Sequence, residues 1–392
     1  MTVVSVVLTV LAISIIGGWL FSWLMHFLAL VYGKYRLHRP ISPPSPEDLP
    51  GVTIIKPLTG VDPNLFTNLE SFFNLKYPAF ELLFSVQDES DAAIMVVQKL
   101  IDKYPTVNAK LFIGIKYVGP NGKINNMIRP YEAAKYDHIV ISDSGILVQP
   151  DTLLEMVSFM KPDVGMVLAM PYCVERDGFA AMYEKVFFGT MHARNCLSAH
   201  SVGINCSTGM FCMFRKDIIE ETGGLDVYGK YLAEDYFLAD AITKKGYKLG
   251  LCNQPAMQNS GQVSITDIHK RLIRWGSLRR KMLPHLVLLE PISECFVQGF
   301  AISLSLSYLF DISPMVVFLL HVLVWFLSDY TLMGICENGP LPFSKFEFVS
   351  AWLLRELCTI YVMLQVQMGG AVTWRNKNYH IYWGGKVEEV RL

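Results

Sequence analysis

The chain contains the run His138-Ile139-Val140-Ile141-Ser142-Asp143-Ser144-Gly145, whose first half has the composition of a core β-strand and whose end supplies a carboxylate and a small turn residue. A second run of this type, Leu82-Leu83-Phe84-Ser85-Val86-Gln87, is followed by Asp88. Both carboxylates thus lie at the carboxyl ends of predicted strands, where ligands bind in open α/β sheets. Either Asp alone is equally compatible with a turn or helix cap. Two at equivalent positions favour a nucleotide site.

Around these runs, β-rich segments alternate with helical patterns from residue 51 to residue 282. The predicted strands are 52–57, 82–87, 111–113 and 138–142, and the predicted helices are 65–74, 92–104 and 124–134. This alternation predicts an α/β fold with a mainly parallel sheet and helices on both faces. We therefore expect residues 51–282 to form one globular domain.

The composition excludes several classes of protein. Of 392 residues, 52% are hydrophobic and 18% are charged, which is too apolar for an ordinary soluble domain and excludes a disordered chain. The net charge of −1 leaves no global basic field for binding nucleic acid. The eight cysteines never occur at C-x-x-C spacing, which indicates scattered reduced thiols in a cytosolic domain rather than a zinc or redox site.

The apolar residues are concentrated at both ends of the chain. Residues 2–33 contain no Asp, Glu, Lys or Arg, more than the roughly 20 residues that a membrane-spanning helix needs. We predict a transmembrane anchor at 1–33 and a proline-rich cytosolic linker at 34–50. The basic character of the linker's first residues places the following chain in the cytosol. These residues are Lys34, Arg36, His38 and Arg39.

The last third predicts a membrane region at 283–368 with about three apolar helices, near 292–310, 314–332 and 346–368. The third helix carries Arg355 and Glu356, which are costly in a membrane unless they are paired. Three full spans would place the tail, 369–392, in the lumen, whereas its basic residues favour the cytosol. The side of the membrane on which the tail lies stays open.

Three further groups are candidates for the chemistry. Lys123 begins a predicted helix after a loop, where helix amides and a cation attract phosphate or sugar hydroxyls. Glu234 and Asp235 precede an apolar helical start. They are either favourable helix N-terminal charges or an oriented base whose pKa is adjusted by its neighbour.

The third group is Arg271-x-x-Arg274-Trp275, just before the apolar third. The two arginines lie on one helical face and can clamp a diphosphate, and Trp275 can wall an acceptor pocket. Binding of lipid headgroups is the alternative, and it suits the neighbouring basic residues 279–281 better.

In this order, Asp88, Asp143-Ser144-Gly145, Glu234-Asp235 and Arg271-x-x-Arg274-Trp275 resemble the motif set of inverting, membrane-bound, family 2-like glycosyltransferases with a GT-A nucleotide-diphospho-sugar transferase fold. Other segments narrow the resemblance to family 21, the ceramide glucosyltransferases. These segments are 60–65, 123–126, 233–237, 256–261 and 290–296.

The resemblance implies transfer of glucose from UDP-glucose to the primary hydroxyl of ceramide, with inversion to a β-glucoside. Asp235 would be the catalytic base, and Glu234 and His192 would lie near the acceptor. The residues implied for the donor are Asp88 at the uridine, Lys123, Asp143 at the diphosphate and its Mg²⁺ or Mn²⁺, and Arg271, Arg274 and Trp275 at the UDP leaving group.

Two departures from the wider family matter. Asp143-Ser144-Gly145 has one carboxylate where the broader pattern is Asp-x-Asp, so diphosphate and water would supply more of the metal ligands. Arg271 stands where processive polysaccharide synthases carry Gln, which argues against a polymer product.

The resemblance also implies a multi-pass Golgi membrane protein whose catalytic domain faces the cytosol. Its partners would be ceramide, UDP-glucose and the bilayer, without nucleic acid, and a homo-oligomer is compatible with the sequence. A related enzyme with another lipid acceptor, such as a polyprenyl phosphate, is the nearest alternative. A transporter or receptor with a cytosolic α/β sensor ranks lower, because transporters usually show related halves.

Overall fold

A computed structural model describes residues 3–42, 44–285, 293–375 and 377–390. The chain forms two compact units. We call them the helical unit (Met1–Tyr35, Glu175–Ser201 and Ser264–Val372) and the sheet unit (Arg36–Val174, Val202–Val263 and Thr373–Leu392). Residues 175–201 and 264–282, which lie within the predicted globular domain, group with the helical unit. The domain boundaries drawn from the sequence stay predictions.

The regular elements are numbered in chain order. The strands are β1 (Val52–Leu58), β2 (Phe80–Val86), β3 (Ala109–Ile113), β4 (His138–Ser142), β5 (Ile146–Leu147), β6 (Val164–Leu168), β7 (Pro171–Cys173), β8 (Phe211–Arg215), β9 (Lys248–Leu251), β10 (Ala256–Gln258), β11 (Val372–Trp374), β12 (Lys377–Ile381) and β13 (Val387–Val390). The helices are α1 (Val3–Arg36), α2 (Leu65–Phe73), α3 (Ala93–Lys103), α4 (Gly122–Glu132), α5 (Thr152–Phe159), α6 (Phe179–Phe187), α7 (Ala193–Ser201), α8 (Lys216–Glu220), α9 (Glu234–Lys244), α10 (Ile265–Met282), α11 (Cys295–Phe310), α12 (Pro314–Glu337) and α13 (Lys345–Met368).

The sheet unit is built on a seven-stranded sheet of order β3-β2-β1-β4-β8-β6-β9. Strand β1 lies between β2 and β4 and is parallel to both, and every one of its residues is buried. Antiparallel pairing is confined to β8, which lies between β4 and β6. The predicted α/β fold with a mainly parallel sheet is confirmed, and the parallel strands place the ends of β1, β2 and β4 at one edge.

The sheet unit also contains a small C-terminal sheet that the sequence analysis did not predict. Its order is β11-β12-β13. Strands β12 and β13 pair antiparallel, from Asn378 opposite Val390 to Ile381 opposite Val387. Tyr379 and Ile381 are each 2% exposed, so one face of this hairpin is packed against protein. The tail is therefore a folded part of the sheet unit.

The helical unit contains the membrane helices. Among the described residues, α1, α12 and α13 are each long and apolar enough to cross a membrane, whereas α11 is a shorter apolar helix. Membrane helices at both ends of the chain are thus confirmed. Residues 290–292, where one family segment and the first predicted C-terminal helix begin, lie outside the described residues.

Charged groups inside the helical unit are paired, as their position requires. Asp329 on α12 accepts hydrogen bonds from Arg355 Nη2 at 3.0 Å and Trp352 Nε1 at 2.8 Å, both on α13. Glu356 pairs with Arg355. All four side chains are buried, so these bonds offset part of the cost of placing charges on apolar helices.

Candidate active site

Lys123 lies at the centre of a group of carboxylates in the sheet unit, which we call the acidic cluster. Its members are Asp143, Glu234 and Asp235. Lys123 belongs to the first turn of α4, and its side chain is 11% exposed. Its Nζ is 2.8 Å from Asp143 Oδ1, directly after β4, and 3.2 Å from Glu234 Oε1, at the start of α9. A third bond, of 2.7 Å, goes to the carbonyl oxygen of Gly209. The ammonium group therefore has a partner for each of its N–H donors.

The electrostatics of Lys123 follow from these contacts. Burial works to lower the pKa of Lys123, but the charges of Asp143 and Glu234 raise it above its ordinary value. The side chain is thus a permanent cation that links the ends of β4, α4 and α9. In this state it serves as the internal counter-ion of the carboxylates.

Glu234 is held from two sides. Its Oε1 faces Lys123, and its Oε2 accepts a hydrogen bond of 2.9 Å from Asn121 Nδ2. Asn121 is also the N-cap of α4, because its Oδ1 accepts from the backbone N–H groups of Lys123 and Ile124. With both oxygens occupied, Glu234 is a positioning group.

Asp235, the next residue, differs in its environment. Burial first, and then the negative charge of Glu234, raise the pKa of Asp235 to about 7. Lys123 and backbone hydrogen bonds at Tyr236 and Gly209 act in the opposite direction. A carboxyl group with a pKa near neutrality is suited to accept a proton from a substrate.

Lys56, a fully buried residue of β1, holds the end of β4 in place. Its Nζ donates to Ser142 Oγ at 2.9 Å and to the carbonyl oxygen of Asp143 at 3.0 Å, and lies 3.7 Å from the ring centre of Phe72. Burial lowers the pKa of Lys56 well below its usual range, and the charge of Asp143 raises it in part. Lys56 therefore holds the backbone that carries the Asp143 carboxylate.

Asp88 follows β2 at the same edge of the sheet, but its carboxylate is exposed. Its Oδ1 accepts hydrogen bonds from the backbone N–H and the hydroxyl of Ser90, at 2.9 and 2.8 Å. These bonds lower the pKa of Asp88. The residue thus forms a turn, which was the structural alternative. Its position two strands from Asp143 leaves the uridine role as a prediction.

The residues at the carboxyl edge of the sheet suit a divalent cation that is held by a single protein carboxylate. Within the described ranges, no three His, Cys, Asp or Glu side chains form a metal-ligand set. Mg²⁺ is commonly held by one or two carboxylates, with phosphate oxygens and water as the other ligands. Asp143, whose side chain is 43% exposed, fits this mode as the protein ligand.

The remaining predicted site residues lie in the helical unit. Arg271 on α10 pairs with the fully buried Glu184 on α6, which also pairs with Arg176. The Arg271 guanidinium lies 5.3 Å from the ring centre of Trp275 and 5.4 Å from that of Phe188. Glu184 therefore fixes the orientation of Arg271.

Arg274 lies on the same helix, α10. The structure thus divides the predicted site residues between its two units. Asp88, Lys123, Asp143, Glu234 and Asp235 belong to the sheet unit, and His192, Arg271, Arg274 and Trp275 belong to the helical unit.

His192 ends a π-helical turn, Phe188–His192, a local geometry often found at functional sites. Burial, followed by the charges of Arg279 and Arg271, lowers the pKa of His192 to about 4. Its ring is therefore neutral at physiological pH. It packs 5.1 Å from the ring of Phe188, and its Nδ1 is buried without a hydrogen-bond partner in the described part of the chain.

Three residues that organise these sites belong to no motif recognised in the sequence: Lys56, Asn121 and Glu184. Lys56 interrupts an otherwise apolar strand, and Glu184 lies in a largely apolar helix, so each carried a local signal of a buried, paired charge. Asn121 had the residue type and position of an N-cap.

Comparison with known proteins gives the family. Residues 21–387 match the model of glycosyl transferase family 21. Ceramide glucosyltransferase 3 of Caenorhabditis elegans is 43% identical over 367 residues, which are 93% of this chain and 80% of that protein. Ceramide glucosyltransferase 1 of the same organism is 41% identical over 93% of this chain and 78% of that protein. Ceramide glucosyltransferase of Komagataella phaffii is 27% identical over 93% and 89%.

Solved structures are more distant. The mannosyltransferase PcManGT from Pyrobaculum calidifontis, in complex with GDP-Man and Mn²⁺, has 19% identity and a TM-score of 0.47, covering 92% of this chain and 97% of that one. Glucosyl-3-phosphoglycerate synthase from Mycobacterium tuberculosis has 12% identity and a TM-score of 0.39, covering 70% and 85%. The family model and the two Caenorhabditis relatives span most of the sequence, and on that ground this chain belongs to glycosyltransferase family 21.

Proposed function

We propose that this glycosyltransferase transfers glucose from UDP-glucose to the primary hydroxyl of ceramide, giving β-glucosylceramide and UDP. The observation that carries the proposal is the acidic cluster around Lys123, in which Asp235 has a pKa of about 7. Family membership and the relatives named ceramide glucosyltransferase support the choice of sugar and acceptor.

The reaction is a single displacement with inversion. Asp235 takes the proton of the ceramide hydroxyl as the new bond forms between that oxygen and C1 of glucose. The bond between C1 and the diphosphate oxygen breaks, and its electron pair leaves with UDP. A base whose pKa lies near the working pH is the most effective for this step.

Other residues act on the charges of the donor. Asp143 would hold Mg²⁺ or Mn²⁺, which when bound neutralises negative charge on the diphosphate. Asp88 would contact the uridine, and Lys123 would keep Asp143 and Glu234 in place beside the donor. Arg271, Arg274 and Trp275 would stabilise the UDP that leaves, and His192 would lie near the acceptor.

The chain's membrane helices suit an acceptor that stays in a bilayer. The cations that follow α1 favour a cytosolic catalytic unit by the positive-inside rule. A Golgi membrane protein with this orientation is what the resemblance to family 21 implies.

The test is transfer by the purified full chain in lipid nanodiscs. We expect glucosylceramide from UDP-glucose and ceramide, read by mass spectrometry, and little product from other UDP-sugars or from a polyprenyl phosphate acceptor. Asp235→Asn should reduce turnover by about 10²- to 10⁴-fold, because it removes a general base. Asp240→Asn, at a carboxylate of the same helix that pairs with Lys244 at 2.7 Å, is the matched control. Preference for polyprenyl phosphate, or wild-type turnover by Asp235→Asn, would contradict the proposal.

A further inference from the structure

The three-stranded C-terminal sheet, β11 to β13, which we call the C-terminal hairpin, places an arginine at the edge of the main sheet where the acidic cluster lies. Arg375 occupies the turn between β11 and β12 with φ +49°, a conformation that residues other than glycine adopt uncommonly. Its Nη1 donates a hydrogen bond of 2.8 Å to Thr59 Oγ1. Thr59 directly follows β1, so the guanidinium lies at the carboxyl end of that strand.

Thr59 follows the end of β1, and Asp143 follows the end of β4, the next strand in the sheet. Strands β1 and β4 are parallel neighbours, and such strands lie about 4.8 Å apart. Arg375 is exposed at the surface, but the protein packed around its guanidinium lowers its pKa, while the charges of Asp143, Glu234, Tyr379 and Asp91 raise it. The guanidinium thus lies within the electrostatic field of the same carboxylates that surround Lys123.

Arg375 and Lys123 differ in the number of side-chain N–H donors that remain for a ligand. The N–H donors of Lys123 all have protein partners. Within the described residues, Arg375 forms no ion pair with a carboxylate, and Thr59 is the partner of its one hydrogen bond. A guanidinium has further N–H donors in a planar fork that matches phosphate oxygens. Such a cation favours the entry of an anion at this edge, because the carboxylates there repel it.

The hairpin that carries Arg375 is held to the same site. Lys386, between β12 and β13, forms an isolated β-bridge with Tyr231. The carbonyl oxygen of Tyr231 accepts a hydrogen bond of 2.7 Å from Asn121 Nδ2, the group that also holds Glu234. The position of the hairpin is therefore coupled to the acidic cluster by a short chain of contacts.

We propose that Arg375 binds the diphosphate of the nucleotide-sugar donor and that the C-terminal hairpin completes the donor site. This inference rests on the proposed function, since it takes the donor to be a nucleoside diphosphate sugar. It assigns a ligand-binding role to a tail whose place the sequence left open.

Titration calorimetry with the full chain in nanodiscs tests the proposal, with UDP and uridine as probes. Arg375→Met should weaken UDP binding by about 10- to 100-fold, the usual effect of losing a charge-assisted hydrogen bond. Uridine lacks phosphate, so its Kd should stay unchanged. Arg375→Lys should give an intermediate Kd for UDP. Lys377→Gln is the control, because Lys377 is on the same hairpin and pairs with Glu389 at 2.9 Å.

The outcomes separate this proposal from the proposed function. Wild-type protein that binds UDP, together with an Arg375→Met variant of equal affinity, would overturn the role of Arg375. Equal losses for UDP and uridine would overturn it too, because the contact would not be with phosphate. Wild-type protein that neither binds UDP nor uses UDP-glucose would instead refute the proposed function.

A second variant covers the case in which Arg375→Met does not fold. Thr59→Val removes only the hydroxyl that anchors Arg375 and should weaken UDP binding by about 3- to 10-fold without affecting uridine. An unchanged Kd for UDP in Thr59→Val would count against the proposal.

Discussion

Two adjacent carboxylates, Glu234 and Asp235, differ because their partners differ. Lys123 and Asn121 occupy both oxygens of Glu234, and this fixes a negative charge beside Asp235. That charge, added to the effect of burial, holds the pKa of Asp235 near neutrality. The pair follows the general rule that groups of one chemical type take different roles when their surroundings differ.

The first prediction concerns pH. Because a base must be ionised to accept a proton, kcat/KM should fall as the pH is lowered through about 7, the pKa of Asp235, and should reach a plateau above it. The measurement is a pH profile of glucosylceramide formation from pH 5 to pH 9. A rate that is flat across this range would argue that Asp235 is not the base. Asp240→Asn should reproduce the wild-type profile.

The second prediction concerns Glu234→Gln. Removing the neighbouring negative charge favours the ionised form of Asp235, so its pKa should fall and the acid limb of the profile should move to lower pH. The maximal rate should also fall, since the amide holds Lys123 and Asn121 less well. Glu221→Gln, at an exposed carboxylate 3.2 Å from Lys245, should leave the limb in place. A shift to higher pH in Glu234→Gln would contradict this account.

At the scale of elements, the side chain of Asn121 joins the start of α4 to the start of α9. Asn121 caps α4 with its Oδ1 and donates from its Nδ2 to Glu234 at the start of α9. The cap and the active-site contact are thus parts of one amide. A substitution that keeps the cap and changes the other half can separate the two functions.

The third prediction is that Asn121→Asp impairs turnover although the helix cap is retained. The new carboxylate can still accept from the N–H groups of α4, but it faces Glu234 at the former hydrogen-bond distance of 2.9 Å. We expect a loss of stability of about 1–3 kcal/mol, measured by thermal unfolding, together with lower kcat. Asn108→Asp, at an exposed residue before β3, is the control. Wild-type behaviour of Asn121→Asp would refute the coupling.

The elements also indicate why some features were predictable. The strands and helices around Asp88, Asp143 and Asp235 were read correctly because apolar periodicity and flanking turns are local signals. Strands β12 and β13 were not predicted, because they are short and polar on one side. The partners of Lys123 could not be predicted from local pattern either, since one of them, Glu234, lies 111 residues further along the sequence. Local pattern predicts an element, whereas a site depends on which elements meet.

For the whole molecule, the compact sheet unit limits the number of times that the chain can cross a membrane. The apolar pattern of the sequence did not set this limit. Residues 36–174, 202–263 and 373–392 form one compact unit, and such a unit lies on one side of a membrane. We therefore expect the chain between residues 263 and 373 to cross the membrane an even number of times. Helices α12 and α13, with 24 residues each, can cross, whereas the 16 residues of α11 extend only about 24 Å, short of the roughly 30 Å hydrocarbon core.

This count gives the fourth prediction, that the C-terminal tail lies on the same side of the membrane as the rest of the sheet unit. Epitope tags before Met1 and after Leu392 can be compared by protease digestion of sealed microsomes. Helix α1 is long and apolar enough to cross once between the N-terminus and the sheet unit, so we expect the two tags to lie on opposite sides. With a cytosolic sheet unit, protease should remove the C-terminal tag and spare the N-terminal tag until detergent is added. Protection of both tags would mean an odd number of crossings after residue 263, which would separate Arg375 from Thr59 and exclude the hairpin from the donor site.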